Sequence, residues 1–111
     1  MYTPIYGDII WLDFDPQSGH EQSGRRPAIV VNNSEYHIYT KTLTIVCPIT
    51  NANRHFPLHV PLDGTVTTGY IMCEQVKALD ISSRNAEFIE RAPNDIMGYV
   101  THLLTSFLHE S

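Results

Sequence analysis

The chain has 111 residues, of which 42% are hydrophobic and 17% are charged, so it has enough apolar mass for one folded core and is not a disordered chain. Seven Lys and Arg against twelve Asp and Glu give a formal net charge of -5 at pH 7, which excludes a protein that coats nucleic acid through its overall charge. Any contact with nucleic acid therefore depends on a local basic cluster. We expect a single domain over residues 1–111.

The cysteines and the apolar runs limit the classes of protein further. Cys47 and Cys73 both lie in apolar stretches, which indicates buried thiols and not a disulfide framework. No apolar run approaches the about 20 residues of a membrane span, and no signal-peptide pattern opens the chain. Paired metal-type cysteines, an HExxH motif and a glycine-rich phosphate loop are also missing. The sequence predicts a cytoplasmic protein without a metal or another cofactor.

Short apolar runs separated by turn signals predict a small β barrel. Residues 17–26 are polar and glycine-containing, and they are predicted as a loop after the first strand. Residues 32–41 are predicted as a connection with no more than a turn or so of helix, for which Ser34 is the candidate N-cap. The predicted strands are, in chain order, 7–14, 27–31, 43–49, 58–62, 69–79 as one strand or a bent pair, and 87–92.

The last part of the chain changes to a helical period. Pro93 suits the first turn of a helix, and Asn94 or Asp95 can cap or complement its positive end. The apolar face consists of Ile96, Met97, Val100, Leu103, Leu104, Phe107 and Leu108. We expect this helix to close the core, and a partner-binding helix is the alternative.

The segment GHEQSGRRP, residues 19–27, gathers the groups best suited to chemistry. Arg26 precedes a proline, so its backbone is restricted. Its guanidinium extends from a strand edge and is suited to binding a phosphate. The other members of the cluster are His20, Glu21, Gln22 and Arg25. Glu21 can accept a proton or hold Arg26, and His20 can act as base, acid or stacking ring. The sequence leaves the order of these roles open.

Further candidate residues follow the third strand. Thr50 offers a hydroxyl and a backbone N–H to an anion, and the alternative is a threonine that only begins a turn by bonding its own backbone. Glu74 and Gln75 interrupt an apolar run, so either the strand turns outward there or these residues line a site. Three side chains add local positive potential: Arg54, His55 and His59. Four side chains can hydrogen-bond to or stack on unpaired bases: Asn51, Tyr36, Tyr39 and Phe56.

The stretch GDIIWLDFDPQSGHEQSGRRPAIVV resembles the opening of the MazF/PemK (Kid) toxins of bacterial toxin–antitoxin modules. The resemblance continues through VCPIT, LDGTVTTGYIMCEQVKALD and IERAPNDIM, so it covers essentially the whole chain. It implies a mainly β fold, a small SH3-like barrel of the CcdB/Kid/MazF type with a C-terminal α-helix, that forms a homodimer. It also implies a metal-independent endoribonuclease that cuts single-stranded mRNA at short sequences by 2′-OH attack. The products are 2′,3′-cyclic phosphate and 5′-OH ends.

The same resemblance assigns roles to individual residues. Arg26 matches the catalytic arginine before proline, and Thr50 matches the catalytic or phosphate-binding threonine or serine. Glu74 matches an acidic residue of the Kid branch, whereas Met72 departs from that branch, which has an arginine there. Because of this departure, Arg26 and Thr50 are the main candidates for catalysis. Two loop positions match residues that some members use in proton transfer or substrate binding: His20 and Glu21.

The resemblance also predicts partners. A MazE/PemI-like antitoxin with a disordered acidic tail is expected to cover the RNA groove, and operator DNA is expected to bind only through the toxin–antitoxin complex. The alternatives are a CcdB-like toxin that binds gyrase without enzymatic activity, or an inactive co-repressor. The GHEQSGRRP loop and a C-terminus, SFLHES, without a Trp-Gly-Ile ending favour the enzyme over the gyrase binder.

Overall fold

The structure is a computed structural model that describes residues 2–14 and 24–110. Seven strands form an antiparallel sheet in the order β4-β5-β3-β2-β1-β7, and β6 pairs with β3 outside this path. The strands are β1 (Asp8–Phe14), β2 (Gly24–Val30), β3 (Leu43–Thr50), β4 (His59–Pro61), β5 (Tyr70–Met72), β6 (Lys77–Asp80) and β7 (Glu87–Arg91). The helices are α1 (Ser34–Thr40) and α2 (Asn94–Phe107). The prediction of a mainly β fold with a C-terminal helix is confirmed.

Strand β3 is shared by two parts of the sheet. One of its edges pairs with β2, while the other edge pairs first with β6, over Leu43–Val46, and then with β5, at Ile49 and Thr50. A 3-10 turn over Cys73–Gln75 separates β5 from β6. The predicted run 69–79 is therefore a bent pair of short strands, and the bend brings this turn next to the end of β3.

The alternating side chains of the strands build two apolar clusters on opposite faces of the sheet. One cluster packs under α2, which contributes Ile96, Met97 and Val100, and includes from the strands Ile9, Ile29, Cys47 and Ile49. The other cluster contains Ile10, Leu12, Phe14, Ala28, Val30 and Val46. Helix α2 thus closes the core as predicted, but its last apolar residues, Phe107 and Leu108, are exposed.

The helices differ from the sequence prediction at their starts. Residues 34–40 form two turns of helix, so the prediction of no more than a turn or so was wrong. The N-cap is Asn33 and not Ser34, because the Asn33 side chain accepts a hydrogen bond from the Tyr36 N–H at 3.1 Å. In α2, Pro93 occupies the N-cap position and provides no side-chain cap. No helix in 2–14 and 24–110 is long and apolar enough to cross a bilayer.

Candidate active site

The strand register brings Arg26, Thr50 and Tyr70 to one face of the sheet. Ala28 pairs with Pro48, and continuing this register by two residues places Arg26 opposite Thr50. Thr50 pairs directly with Tyr70. Antiparallel partners project to the same side of a sheet, and side chains two apart in a strand share a side. Arg26 is also paired with Leu12 of β1, so it lies within the sheet and not in the preceding loop.

Thr50 is buried, and its hydroxyl makes the turn contact that the sequence offered as one of two alternatives. Its Oγ1 accepts a hydrogen bond from the Ala52 N–H at 3.2 Å, so Thr50 does begin a turn by bonding the local backbone. Because the oxygen is the acceptor in that bond, the hydroxyl hydrogen remains a donor. The turn therefore fixes the Thr50 oxygen and leaves the hydroxyl hydrogen available to a further acceptor.

Gly69 fixes the backbone of Thr50 from the neighbouring strand end. It has φ +123°, and a Cβ added there would overlap the Thr50 carbonyl oxygen and crowd Asn51 Oδ1 at 3.1 Å. Only glycine fits this close approach of two backbones. Asn51 Oδ1 also accepts a hydrogen bond from Thr68 Oγ1 at 3.1 Å, which ties the same strand connection to the residue after Thr50.

The predicted base-contacting residues after Thr50 lie together in one exposed segment. Asn51, Arg54 and Phe56 are all exposed, and the Phe56 ring packs edge-on against the His59 ring with centroids 5.2 Å apart. An exposed aromatic ring beside a cationic side chain suits the stacking and backbone contacts of single-stranded RNA. The segment leads directly away from Thr50, so it extends the face that carries Arg26.

Arg25 projects from the opposite face to Arg26. Its guanidinium binds Asp13 Oδ1 at 3.0 Å and Glu87 Oε1 at 2.5 Å, so two carboxylates compensate its charge. Hydrogen bonds from Asn85 and then from Arg25 lower the pKa of Asp13. This geometry ties Arg25 to the surface of β1 and β7. The contact with RNA that the sequence predicts for Arg25 stays a prediction, and this engagement with two carboxylates favours a structural role instead.

Glu74 and Gln75 lie on the 3-10 turn between β5 and β6, so the chain does leave the strand at these polar positions. The carboxylate of Glu74 contacts the ring of His59, with Oε2 and Nε2 2.9 Å apart. Met72 is buried in β5 and is the cross-strand partner of His59. The position at which the sequence departs from the Kid branch is therefore next to a histidine.

Lys77 adds a second cation on the face that carries Arg26. It pairs with Val46, which is four residues from Thr50 in β3 and projects to the same side. Its Nζ lies 5.8 Å from the centroid of the Phe14 ring, a distance that suits a cation–π contact. Arg26 and Lys77 thus place two cationic side chains on one face of a chain that is acidic overall.

Three predicted site residues, His20, Glu21 and Gln22, lie outside the described residues. The sequence prediction assigned His59 only a part in the local positive potential and assigned no site role to Gly69 and Tyr70. No local motif marks them, because their places depend on the pairing of β4 and β5 with residues up to 20 positions away. The Gly-Tyr step at the start of an apolar run was the one local signal, since glycine in a strand context indicates a close approach of backbones.

Comparison with known proteins identifies the family. Residues 6–108 match the model of the "PemK-like, MazF-like toxin of type II toxin-antitoxin system". The chain belongs to this family. It is 40% identical over 86 residues to the endoribonuclease toxin MazF of Escherichia coli strain K12, which covers 77% of this chain and 76% of that protein. It is 36% identical over 107 residues to the endoribonuclease PemK of Escherichia coli, covering 92% and 80%.

The fold is that of solved MazF structures. MazF from Deinococcus radiodurans superposes with a TM-score of 0.88 at 37% identity, over 97% of this chain and 98% of that one. A chain of the MazE-MazF crystal structure from the same organism (Form-II) superposes with a TM-score of 0.84 at 38% identity, over 100% of both chains. The resemblance to MazF/PemK toxins is therefore confirmed over the whole fold.

Proposed function

We propose that this protein is the toxin of a type II toxin–antitoxin module and that it cleaves single-stranded RNA by intramolecular attack of a ribose 2′-OH. Family membership and the named activity of the curated relatives support the endoribonuclease assignment. The observation that carries the mechanism is the common face of Arg26 and Thr50 across β2 and β3. The register places one guanidinium and one hydroxyl donor on the same side of two neighbouring strands, and we propose that both contact the phosphate.

The reaction needs positioning and charge stabilisation from this face. The 2′-oxygen forms a bond to phosphorus, the bond from phosphorus to the 5′-oxygen breaks, and the 2′ proton leaves while the 5′-oxygen gains one. Arg26 stabilises the extra negative charge on the phosphoryl oxygens and can assist the leaving oxygen. Thr50 donates its hydroxyl hydrogen to a phosphoryl oxygen, because its own oxygen is already held by Ala52. No cofactor enters this scheme.

On the resemblance alone, we assign His20 or Glu21 as the base that accepts the proton of the 2′-OH. Both residues precede β2, the strand that contains Arg25 and Arg26. The two positions are adjacent in sequence, so single substitutions of each separate their roles.

The partners proposed for the toxin follow from its charge and its family. A homodimer brings two copies of the Arg26 face into one RNA track, which gives an acidic chain a longer basic surface. An acidic antitoxin tail competes with RNA for the same arginines, and the similarity to the MazF chain of the Deinococcus radiodurans MazE-MazF complex supports an antitoxin of the MazE type. We place this reaction in the bacterial cytoplasm, with operator DNA bound only through the toxin–antitoxin complex.

The direct test is to incubate the purified protein with a long RNA in excess EDTA and to map the cut ends and their terminal groups. We expect cuts at a recurring short motif in unpaired regions, with 5′-OH and 2′,3′-cyclic phosphate ends. A folded protein that cuts no RNA would contradict the proposal and favour a gyrase-binding toxin or an inactive co-repressor. Inhibition of gyrase supercoiling then distinguishes these two.

A further inference from the structure

His59 and Glu74 form a pair that the proposed mechanism does not use. The His59 side chain is 5% exposed and the Glu74 side chain is 27% exposed, and their Nε2 and Oε2 atoms lie 2.9 Å apart. A carboxylate can only accept, so His59 Nε2 carries the hydrogen of this bond. Among the described residues, no donor contacts the second oxygen of Glu74, Oε1. The pair therefore fixes one carboxylate oxygen and leaves the other available.

His59 occupies its position despite an unsatisfied atom. Its Nδ1 is buried and has no hydrogen-bond partner in the part of the chain that the structure describes. Burial of an unpaired polar atom destabilises a fold, and most native proteins avoid it. An apolar residue at position 59 would remove that penalty and suit a strand whose neighbour Val60 is buried. In exchange His59 gains an edge-on contact with the Phe56 ring and the polar contact with Glu74, and an apolar residue cannot make the second.

The pair lies on the same face as Arg26 and Thr50. His59 pairs with Met72, which is two residues from Tyr70, and Tyr70 pairs with Thr50. With about 4.8 Å between strands and about 3.3 Å per residue along them, the Cα atoms of His59 and Thr50 lie about 12 Å apart in the sheet. A single RNA strand that crosses Arg26 and Thr50 can therefore also contact Glu74.

From this arrangement we propose that His59 is a positioning residue: it holds the Glu74 carboxylate so that Oε1 accepts a hydrogen bond from an N–H group on one unpaired RNA base. The inference rests on the proposed endoribonuclease function and adds a determinant of its sequence specificity. Unpaired bases are read on their hydrogen-bonding edges, and a carboxylate reads an amino or imino N–H, such as cytosine N4. A base that presents only acceptors there is rejected, because it faces a carboxylate without a donor.

The test compares the cleavage motif and kcat/KM of the full-length protein with those of His59→Leu, Glu74→Gln and the double variant, on RNAs that differ at one base position at a time. We expect His59→Leu to lower kcat/KM on the best RNA about tenfold and to relax the preference at one position only. Glu74→Gln should relax the same position. The double variant should be no worse than Glu74→Gln, since His59 acts through Glu74.

Three further variants guard against a merely structural effect. His59→Gln keeps an N–H donor that reaches Glu74 and should recover most of the preference, whereas the shorter His59→Asn should not. His102→Leu, an exposed histidine on α2, is the matched control and should change neither preference nor kcat/KM. If His59→Leu does not fold, the comparison of His59→Gln with His59→Asn decides the matter.

Three outcomes overturn the inference. The first is that substitution at position 59 leaves selectivity unaffected by the donor. Either His59→Leu is then as selective as the unsubstituted protein at every position, or His59→Gln and His59→Asn are equally selective. The second is a double variant whose losses multiply, because His59 and Glu74 would then act independently. The third is an unsubstituted protein that cuts no RNA, which overturns the proposed function as well and so is distinguishable from the other two.

Discussion

Arg25 and Arg26 are neighbours in sequence but belong to opposite faces of β2, and the two faces have different chemistry. Arg25 binds Asp13 of β1 and Glu87 of β7, so its charge joins three strands at the surface. Arg26 shares its face with Thr50 and Tyr70. Because alternate residues of a strand face opposite sides, two neighbouring arginines have different roles: Arg25 is a structural cation and Arg26 is a candidate catalytic cation.

The largest expected effect separates the two arginines. Arg26→Ala should lower kcat for RNA cleavage by about 10³-fold, because a charge-stabilising group at a phosphoryl transfer site is lost. Arg25→Ala is the matched control and should cut RNA within about tenfold of the unsubstituted protein while its thermal midpoint falls. Rates on one defined RNA and melting curves measure both. Equal activity losses in the two variants would contradict the division of the faces.

The second prediction concerns the hydroxyl that faces Arg26. Thr50→Val keeps the shape of the side chain but removes the donor to the phosphoryl oxygen, together with the acceptor of the Ala52 N–H, so kcat should fall about 10²-fold with a smaller change in KM. Thr68→Val removes the hydroxyl that binds Asn51 Oδ1 and is the control for a polar contact beside the site. A Thr50→Val protein with unchanged kcat would leave Thr50 only its role in the turn.

A third, smaller effect tests how the backbone supports that face. Gly69→Ala should lower kcat about tenfold and also lower the thermal midpoint, since a Cβ at φ +123° overlaps the Thr50 carbonyl oxygen. Gly64→Ala also has a positive φ but meets no atom within 4 Å, so it should lower stability without lowering kcat. If both variants keep full activity, the site does not depend on this close approach.

The smallest effect belongs to the Arg25 face and appears at low pH. Hydrogen bonds from Asn85 and Arg25 lower the pKa of Asp13 below its ordinary value of 3.8. The stability that ionised Asp13 contributes is therefore present above that value and is lost as the pH falls through the lowered pKa. The difference in thermal midpoint between the unsubstituted protein and Asp13→Asn should be constant near neutral pH and should shrink below about pH 4. A difference independent of pH would contradict this.

Sequence periodicity was sufficient for the main elements of the fold. The apolar runs predicted β1 and β3 closely, and the helical spacing predicted α2. The prediction for β2 was wrong at its start, because the strand begins at Gly24 inside the predicted loop, where polar residues give no apolar signal. Helix α1 was missed because its stability comes from side chains that bond the backbone, Asn33 at its start and Thr40 at its end, and not from an apolar face. A pattern of hydrophobicity carries no information about such caps.

The candidate site was predictable only where a motif marks it. Arg26 before proline and Thr50 at the end of an apolar strand are local signals, and the structure brings them to one face. The contact of His59 with Glu74 joins residues 15 apart across a strand and a 3-10 turn. Its prediction requires the register of β4 with β5, which is set by packing and by turn geometry rather than by either residue.

The most direct test of the division between the two faces is an NMR titration of the labelled protein with an RNA oligonucleotide that contains the mapped cut motif and a 2′-deoxy sugar at the cut position, so that it binds without being cleaved. We predict large shifts of the Arg26 Nε–Hε signal and of the Thr50 and Tyr70 amides, with the Arg25 Nε–Hε signal unchanged. Shifts at Arg25, Asp13 and Glu87 with none at Arg26 would contradict that division.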